Sequence, residues 1–164
     1  TGSTYTNEQY EYIELYNISN NSVNLRGWKF TDGIDFTFPN NNPVTIPVGE
    51  YIIVAKEPDA FVLRYPSVDV GKIFGPYNGQ LSNAGESIEL GIHNGEADDS
   101  GEPYCIRIDR VNYSDGSHPE DCPGEVDLWP VEADGYGKSL TRKVPTDYGN
   151  DPDNWLIAPV SPGE

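Results

Sequence analysis

Hydrophobic residues in this chain recur at every second position, in short runs cut by turn residues, and that pattern confines it to an all-β fold. In Tyr10-Glu11-Tyr12-Ile13-Glu14-Leu15-Tyr16, Ile13 and Leu15 point one way while Tyr12, Glu14 and Tyr16 point the other. Asn17 to Ser22 is a polar turn cluster. Val23-Asn24-Leu25 and Gly27-Trp28-Lys29-Phe30 read as short strands, and Asp32-Gly33 is a hairpin signal before Ile34-Asp35-Phe36-Thr37-Phe38. Tyr51-Ile52-Ile53-Val54-Ala55 is apolar throughout, as expected of a strand covered on both faces. One short helix is expected over Glu57 to Tyr65, with Pro58 at its first position, Asp59 in its first turn and Pro66 beyond its end.

The later strands are Ile73-Phe74, then Ser87 to His93 with Ile88, Leu90 and Ile92 on one face. Between Cys105 and Tyr113 the apolar phase slips from even to odd positions. A slip of one residue turns side chains to the opposite face, so a β-bulge is expected near Asp109-Arg110. Ser139 to Val144 and Trp155-Leu156-Ile157 complete the set. Short strands separated by turns at this spacing predict a sandwich.

At 164 residues the chain has the length of one domain. Its 27 acidic against 10 basic residues leave a net charge of −17. Such a field repels phosphate backbones and anionic lipid, which excludes nucleic-acid binding and membrane insertion from the expected functions. The opening Thr1-Gly2-Ser3 and the closing Ser161-Pro162-Gly163-Glu164 suit a module within a longer protein. The expected organisation is an N-terminal segment over residues 1–7, a domain over 8–158 and a C-terminal linker over 159–164.

The two cysteines, Cys105 and Cys122, both sit in turn-rich acidic stretches that are poor places to bury a thiol. A disulfide between them is expected, contributing roughly 3 kcal/mol in the chain-entropy account. Disulfides persist in oxidising compartments, so the expected address is extracellular or the cell surface.

Longer motifs then resemble a known family. Glu11-Tyr12-Ile13-Glu14-Leu15-Tyr16-Asn17, Val23-Asn24-Leu25-Arg26-Gly27-Trp28 and Ile46-Pro47-Val48-Gly49-Glu50-Tyr51 resemble the opening of the lamin tail domain. Leu81-Ser82-Asn83-Ala84-Gly85-Glu86 and Trp129-Pro130 resemble its middle, and Ala133 to Leu140 with Asn150 to Trp155 its end. The flavour is that of bacterial members found in secreted or surface proteins. The resemblance implies an immunoglobulin-like β-sandwich. Two segments, His93 to Tyr104 and Ser114 to Asp127, are longer than the family pattern requires, and each brings one cysteine. The expected bridge would tie these two loops together.

No GxSxG, P-loop or HExxH motif is present, and His93 and His118 both read as turn residues in solvent. Catalysis is not expected, and no cofactor is required. Calcium is considered because Asp98, Asp99 and Glu102 on one long loop, with Asp115, Glu120 and Asp121 on the other, supply hard oxygen ligands. The alternative is that these acids only keep the domain soluble. Tyr5, Tyr10, Tyr12, Tyr16, Tyr77, Tyr104 and Tyr136 are expected at the surface, with Tyr12, Tyr16 and Tyr104 chosen as ligand-binding candidates because flat aromatic surface stacks on sugar rings. High strand propensity of tyrosine is the competing explanation. Asn17, Asn20 and Asn112 each begin an Asn-x-Ser sequon.

The expected function is a non-catalytic extracellular binding or adhesion module of a larger bacterial surface or secreted protein. Its partner would be a polysaccharide or a cell-surface protein, beside the neighbouring domains of its own polypeptide. The alternatives are an accessory domain positioning a secreted hydrolase or nuclease, and a ligand-free spacer.

Overall fold

The computed structural model describes residues 5–131 and 137–163, except for the side chains of Asp121 and Pro123. In chain order the elements are β1 (Tyr12–Tyr16), β2 (Val23–Asn24), β3 (Trp28–Asp32), β4 (Thr45–Ile46), β5 (Tyr51–Ala55), α1 (Pro58–Arg64), β6 (Ile73–Phe74), β7 (Gly85–Ala97), β8 (Pro103–Ser114), β9 (Lys138–Arg142) and β10 (Trp155–Pro159). Two three-stranded sheets, β1-β5-β6 and β3-β7-β8, carry most of the structure, with the pairs β2-β4 and β9-β10 beside them. No helix among the described residues is long and apolar enough to cross a membrane.

The continuous apolar run lies at the centre of the first sheet. Successive strand side chains face opposite ways, so β5 feeds two cores. Ile52 and Val54 join Leu25, Phe30, Ile34, Phe38, Val44, Ile46, Tyr77 and Leu90 between the sheets. Ile53 and Ala55 face outward and are covered by Phe61 of α1 and by Val68. Strand β1 lies antiparallel to β5 and sends Ile13 and Leu15 into the larger core. The helix has the expected proline start, one residue shorter at each end than the sequence suggests.

The Asp32-Gly33 turn forms with Gly33 at φ +85°, where an added Cβ would press on the Ser87 carbonyl and Ile88. Beyond it Ile34 to Phe38 is not a regular strand. The segment holds its place by Phe30 N–H donating to the Phe36 carbonyl at 3.0 Å and Phe38 N–H to that of Trp28 at 2.8 Å. Ile34 and Phe38 are both buried, and that anchoring substitutes for a full ladder.

Strands β7 and β8 form the longest hairpin. Their register shifts where Leu90 faces Asp109 and Gly91 faces Arg107, which leaves Ile108 as the extra residue. The bulge lies one position before the expected site. It reconciles the phase slip, since Val111 pairs with Ile88 before it and Ile106 with Ile92 after it. The β9-β10 hairpin is tied to β8 by an Arg142–Asp109 ion pair and by Asn112 N–H donating to Asn150 Oδ1 at 2.6 Å. Trp155 of β10 packs against the buried Trp129 with ring centres 6.0 Å apart.

Candidate functional site

The β7-β8 hairpin outgrows the sheet that supports it. Strand β3 pairs only with Glu89 to Ile92 of β7, so the chain from His93 round to Cys105 continues as a two-stranded arm without a third strand. Residues 93–97 are all exposed. On the returning strand Tyr104, Ile106 and Ile108 are 53%, 56% and 45% exposed. Tyr104 stands on the arm, and Ile106 and Ile108 lie at its root opposite the β3-supported part of β7; large apolar side chains grouped along one strand in this way mark a contact surface more than a packing failure.

The arm's tip is a self-contained turn. Asp98 N–H donates to the Glu102 carbonyl at 2.8 Å. Asp98 Oδ1 accepts from Ser100 Oγ at 2.6 Å, Ser100 N–H at 2.8 Å and Glu102 N–H at 2.9 Å. The Ser100 hydroxyl, followed by the Glu102 N–H, holds its carboxyl below the usual aspartate value. At the arm's root, Arg107 Nε donates to Glu89 Oε2 at 2.6 Å and Thr31 Oγ1 to Glu89 Oε1 at 2.9 Å, which brace the outer face.

The expected disulfide is not formed: Cys105 is a free thiol that points toward the Pro103 carbonyl. The reason is the length of the hairpin. Cys105 pairs with His93 on the arm, whereas Ser114 pairs with Gly85 at the opposite end. Ser114 lies nine positions beyond Cys105 along the strand, about 30 Å at ~3.3 Å per residue. Cys122 belongs to the loop at the Ser114 end, where Asp127 Oδ2 accepts from Ser114 Oγ at 2.6 Å and from His118 N–H at 3.2 Å. The two long segments therefore leave opposite ends of one hairpin.

The same geometry separates the calcium candidates. Asp98, Asp99 and Glu102 stand at the tip, and Asp115 and Glu120 stand in the loop at the other end. The Asp121 side chain lies outside the described residues. Asp115 spends Oδ1 on Ser117 N–H and Oγ, at 2.8 and 2.6 Å, and the Ser117 hydroxyl holds it below the usual aspartate value. Among the described residues no three His, Cys, Asp or Glu side chains gather as a metal site.

The aromatic candidates also divide. Tyr12 is half-buried: its ring meets Phe61 at 5.1 Å and Tyr65 at 6.0 Å, because α1 lies over the outer side of β1 and β5. Burial raises its hydroxyl pKa. Tyr77 is 2% exposed and belongs to the main core. Tyr16 is 49% exposed at the end of β1, away from the arm that carries Tyr104. Tyr136 lies outside the described residues.

Two asparagines carry structural duties, and for Asn17 the sequon pattern hid it. Asn17 is buried, and its Nδ2 donates to the carbonyls of Asn21, Ile46 and Pro47 at 2.8, 2.9 and 3.1 Å. A glycan on that nitrogen is incompatible with the fold. Asn154 Oδ1 accepts from Val144 N–H and its Nδ2 donates to the Val144 carbonyl, closing the β9-β10 connection. A cleft of about 310 Å³ lies between β4 and β6, walled by Val44, Thr45, Ile52 and Phe74 and by the Glu50–Lys72 ion pair. Lys72 Nζ sits 4.2 Å from the centre of the Tyr51 ring, so that aromatic face is already occupied.

The lamin tail domain family model matches residues 1–113, more than half of the chain. The chain belongs to the lamin tail domain family. The matched range includes both three-stranded sheets and the arm, and its fold is the immunoglobulin-like sandwich. It stops at Tyr113, so the resemblances read from Trp129-Pro130, Ala133 to Leu140 and Asn150 to Trp155 fall beyond it. No curated protein and no solved structure matches this lamin tail domain.

Proposed function

We propose that this lamin tail domain is a non-catalytic extracellular binding module of a larger bacterial surface or secreted protein, and that the β7-β8 arm is its contact element. The observation that carries the reading is the exposure of Tyr104 on the overhanging arm and of Ile106 and Ile108 at its root. Folding gains nothing from three large apolar side chains left in water, and a contact that covers them recovers about 25 cal/mol per Å². Short loops would have closed the same sandwich. The arm's aromatic residue suits either a sugar ring or a protein side chain, which keeps both a polysaccharide and a cell-surface protein as partner classes.

The test is binding of the labelled domain to a glycan array and, in parallel, to bacterial cells displaying the full-length protein. Tyr104→Ala and Ile106→Lys are expected to reduce binding at least tenfold while circular dichroism stays unchanged. A signal on the array that Tyr104→Ala removes identifies the sugar class; a blank array with binding to cells identifies a protein. Wild-type binding by both variants overturns the arm as the contact element.

A further inference from the structure

We infer that the partner of the arm is a second copy of this chain, joined edge to edge through β8. The inference rests on the reading of the arm as a contact element and names its occupant. Strand β8 is the last strand of the sheet β3-β7-β8. A strand in that position presents unpaired backbone groups, and proteins ordinarily blunt them with charge, bulges or covering segments. Here the blunting covers only half of the strand. Arg110 N–H is taken by Asp109 Oδ1 at 2.9 Å, Asn112 N–H by Asn150 Oδ1 at 2.6 Å, and the Arg142–Asp109 ion pair lays the β9-β10 hairpin alongside. The bulge at Ile108 ends the protected half.

From Pro103 to Arg107 no described strand pairs with that edge, and the stretch holds the exposed Tyr104 and Ile106. Antiparallel pairing about a twofold axis at Cys105 sets Tyr104 opposite the partner's Ile106 and Ile106 opposite the partner's Tyr104. Aromatic residues facing β-branched ones are favourable cross-strand pairs. The interface is isologous, so it closes on itself as a dimer. Charge selects the same arrangement. The tip of each arm is acidic, with Glu96, Asp98, Asp99 and Glu102, while the body beyond Ile106 sets Arg107, Arg110 and Arg142 against Glu89 and Asp109, a balance of one positive charge. Antiparallel pairing runs the acidic tip of one copy toward the arginines of the other. Parallel pairing would stack acid on acid and is rejected by the same charges. The short edge and the −17 charge on each copy make the association weak and concentration-dependent.

Sedimentation velocity across micromolar to near-millimolar protein tests the pairing, with far-UV circular dichroism as the check on folding. The wild type is expected to move from monomer to dimer mass as concentration rises, and Ile106→Lys to raise the dissociation constant at least tenfold with an unchanged spectrum. In a Cys122→Ser background, oxidation with copper-phenanthroline is expected to join Cys105 to the partner's Cys105; Cys105→Ser is expected to remove that product. Monomer mass at every concentration, or a dimer that Ile106→Lys leaves intact, overturns the self-pairing. Loss of target binding by Ile106→Lys in a protein that stays monomeric would keep the arm as a contact element and refute the second copy alone.

Discussion

The side-chain amide of Asn17 donates to the Ile46 carbonyl at 2.9 Å, joining positions 29 residues apart. The same nitrogen holds the carbonyls of Asn21 and Pro47, and Asn17 Oδ1 accepts from Ser19 N–H at 2.9 Å. One side chain thus fixes the exit of β1 against the end of β4. Asn17→Ala removes all three bonds: the buried one to the Ile46 carbonyl has no replacement from that side chain, while the Asn21 and Pro47 carbonyls keep the Ser19 hydroxyl and the Glu50 N–H. The expected loss is about 3 kcal/mol in urea unfolding, and Asn20→Ala, on an exposed turn, is expected to cost far less.

Two carboxyls give a pH signature. Burial raises Glu11 above its ordinary value, with the Leu81 N–H and the Tyr77 hydroxyl pulling it back. Glu14 is an exposed residue, but its carboxyl lies against the C-terminal segment, and that partial desolvation also raises it, opposed by the Gly163 N–H that donates to it at 2.7 Å. A carboxyl with a higher pKa in the folded state holds its proton more tightly there. The folded state therefore gains stability as pH falls through that raised value, with the gain complete below the unfolded value near 4.5. At neutral pH the two charges are a cost. Glu11→Gln with Glu14→Gln keeps both acceptors and removes both charges. The double variant is expected to melt above the wild type at pH 7, and the difference is expected to close as pH falls toward 4.5. A constant difference across that range contradicts the assignment.

The cysteines are expected to contribute little to the stability of one copy. Cys105 bonds nothing covalently, and its strand position is about 30 Å from Ser114, where the loop that holds Cys122 begins. Melting temperature is expected to be the same with and without reductant at dilute protein. Peptide mapping of freshly purified monomer is expected to recover Cys105 alkylated. A Cys105–Cys122 peptide would contradict the placement of the hairpin ends.

Phe61 is the test of the second core. It is fully buried against Ile53, Ala55 and Val68, with Tyr12 and Tyr65 around it. Phe61→Ala is expected to cost about 3–5 kcal/mol, and Tyr12 fluorescence and exchange of the α1 amides are expected to report the loosened helix. Leu63→Ala, on the exposed side of the same helix, is expected to cost little.

Much of this architecture was legible because strand period and burial coincide. The unbroken run Tyr51 to Ala55 announced a strand covered twice, the proline-led segment announced α1, and the phase slip placed the bulge within one residue. The errors arose where covering elements come from elsewhere in the chain. Alternation placed Tyr12 opposite Ile13 but said nothing of α1 lying over that side, so a core ring read as a surface ring. Tyr77 has no periodic context and was fixed in the core by the chain around it. The arm was hidden by Asn94-Gly95, a turn signal that the hairpin passes through before turning at Asp98 to Gly101. With the turn placed early, the two acidic loops and the two cysteines looked adjacent. The true strand length sends them apart.

Excision of the arm tests its role most directly. Replacing residues 94–104 by an Asn-Gly turn that joins His93 to Cys105 removes the tip, Tyr104 and the overhanging backbone while leaving every core residue in place. Binding to cells displaying the full-length protein is the measurement, read beside the melting temperature. The account predicts a sandwich that melts within a few degrees of the wild type and has lost binding. Wild-type binding by the excised domain would contradict it.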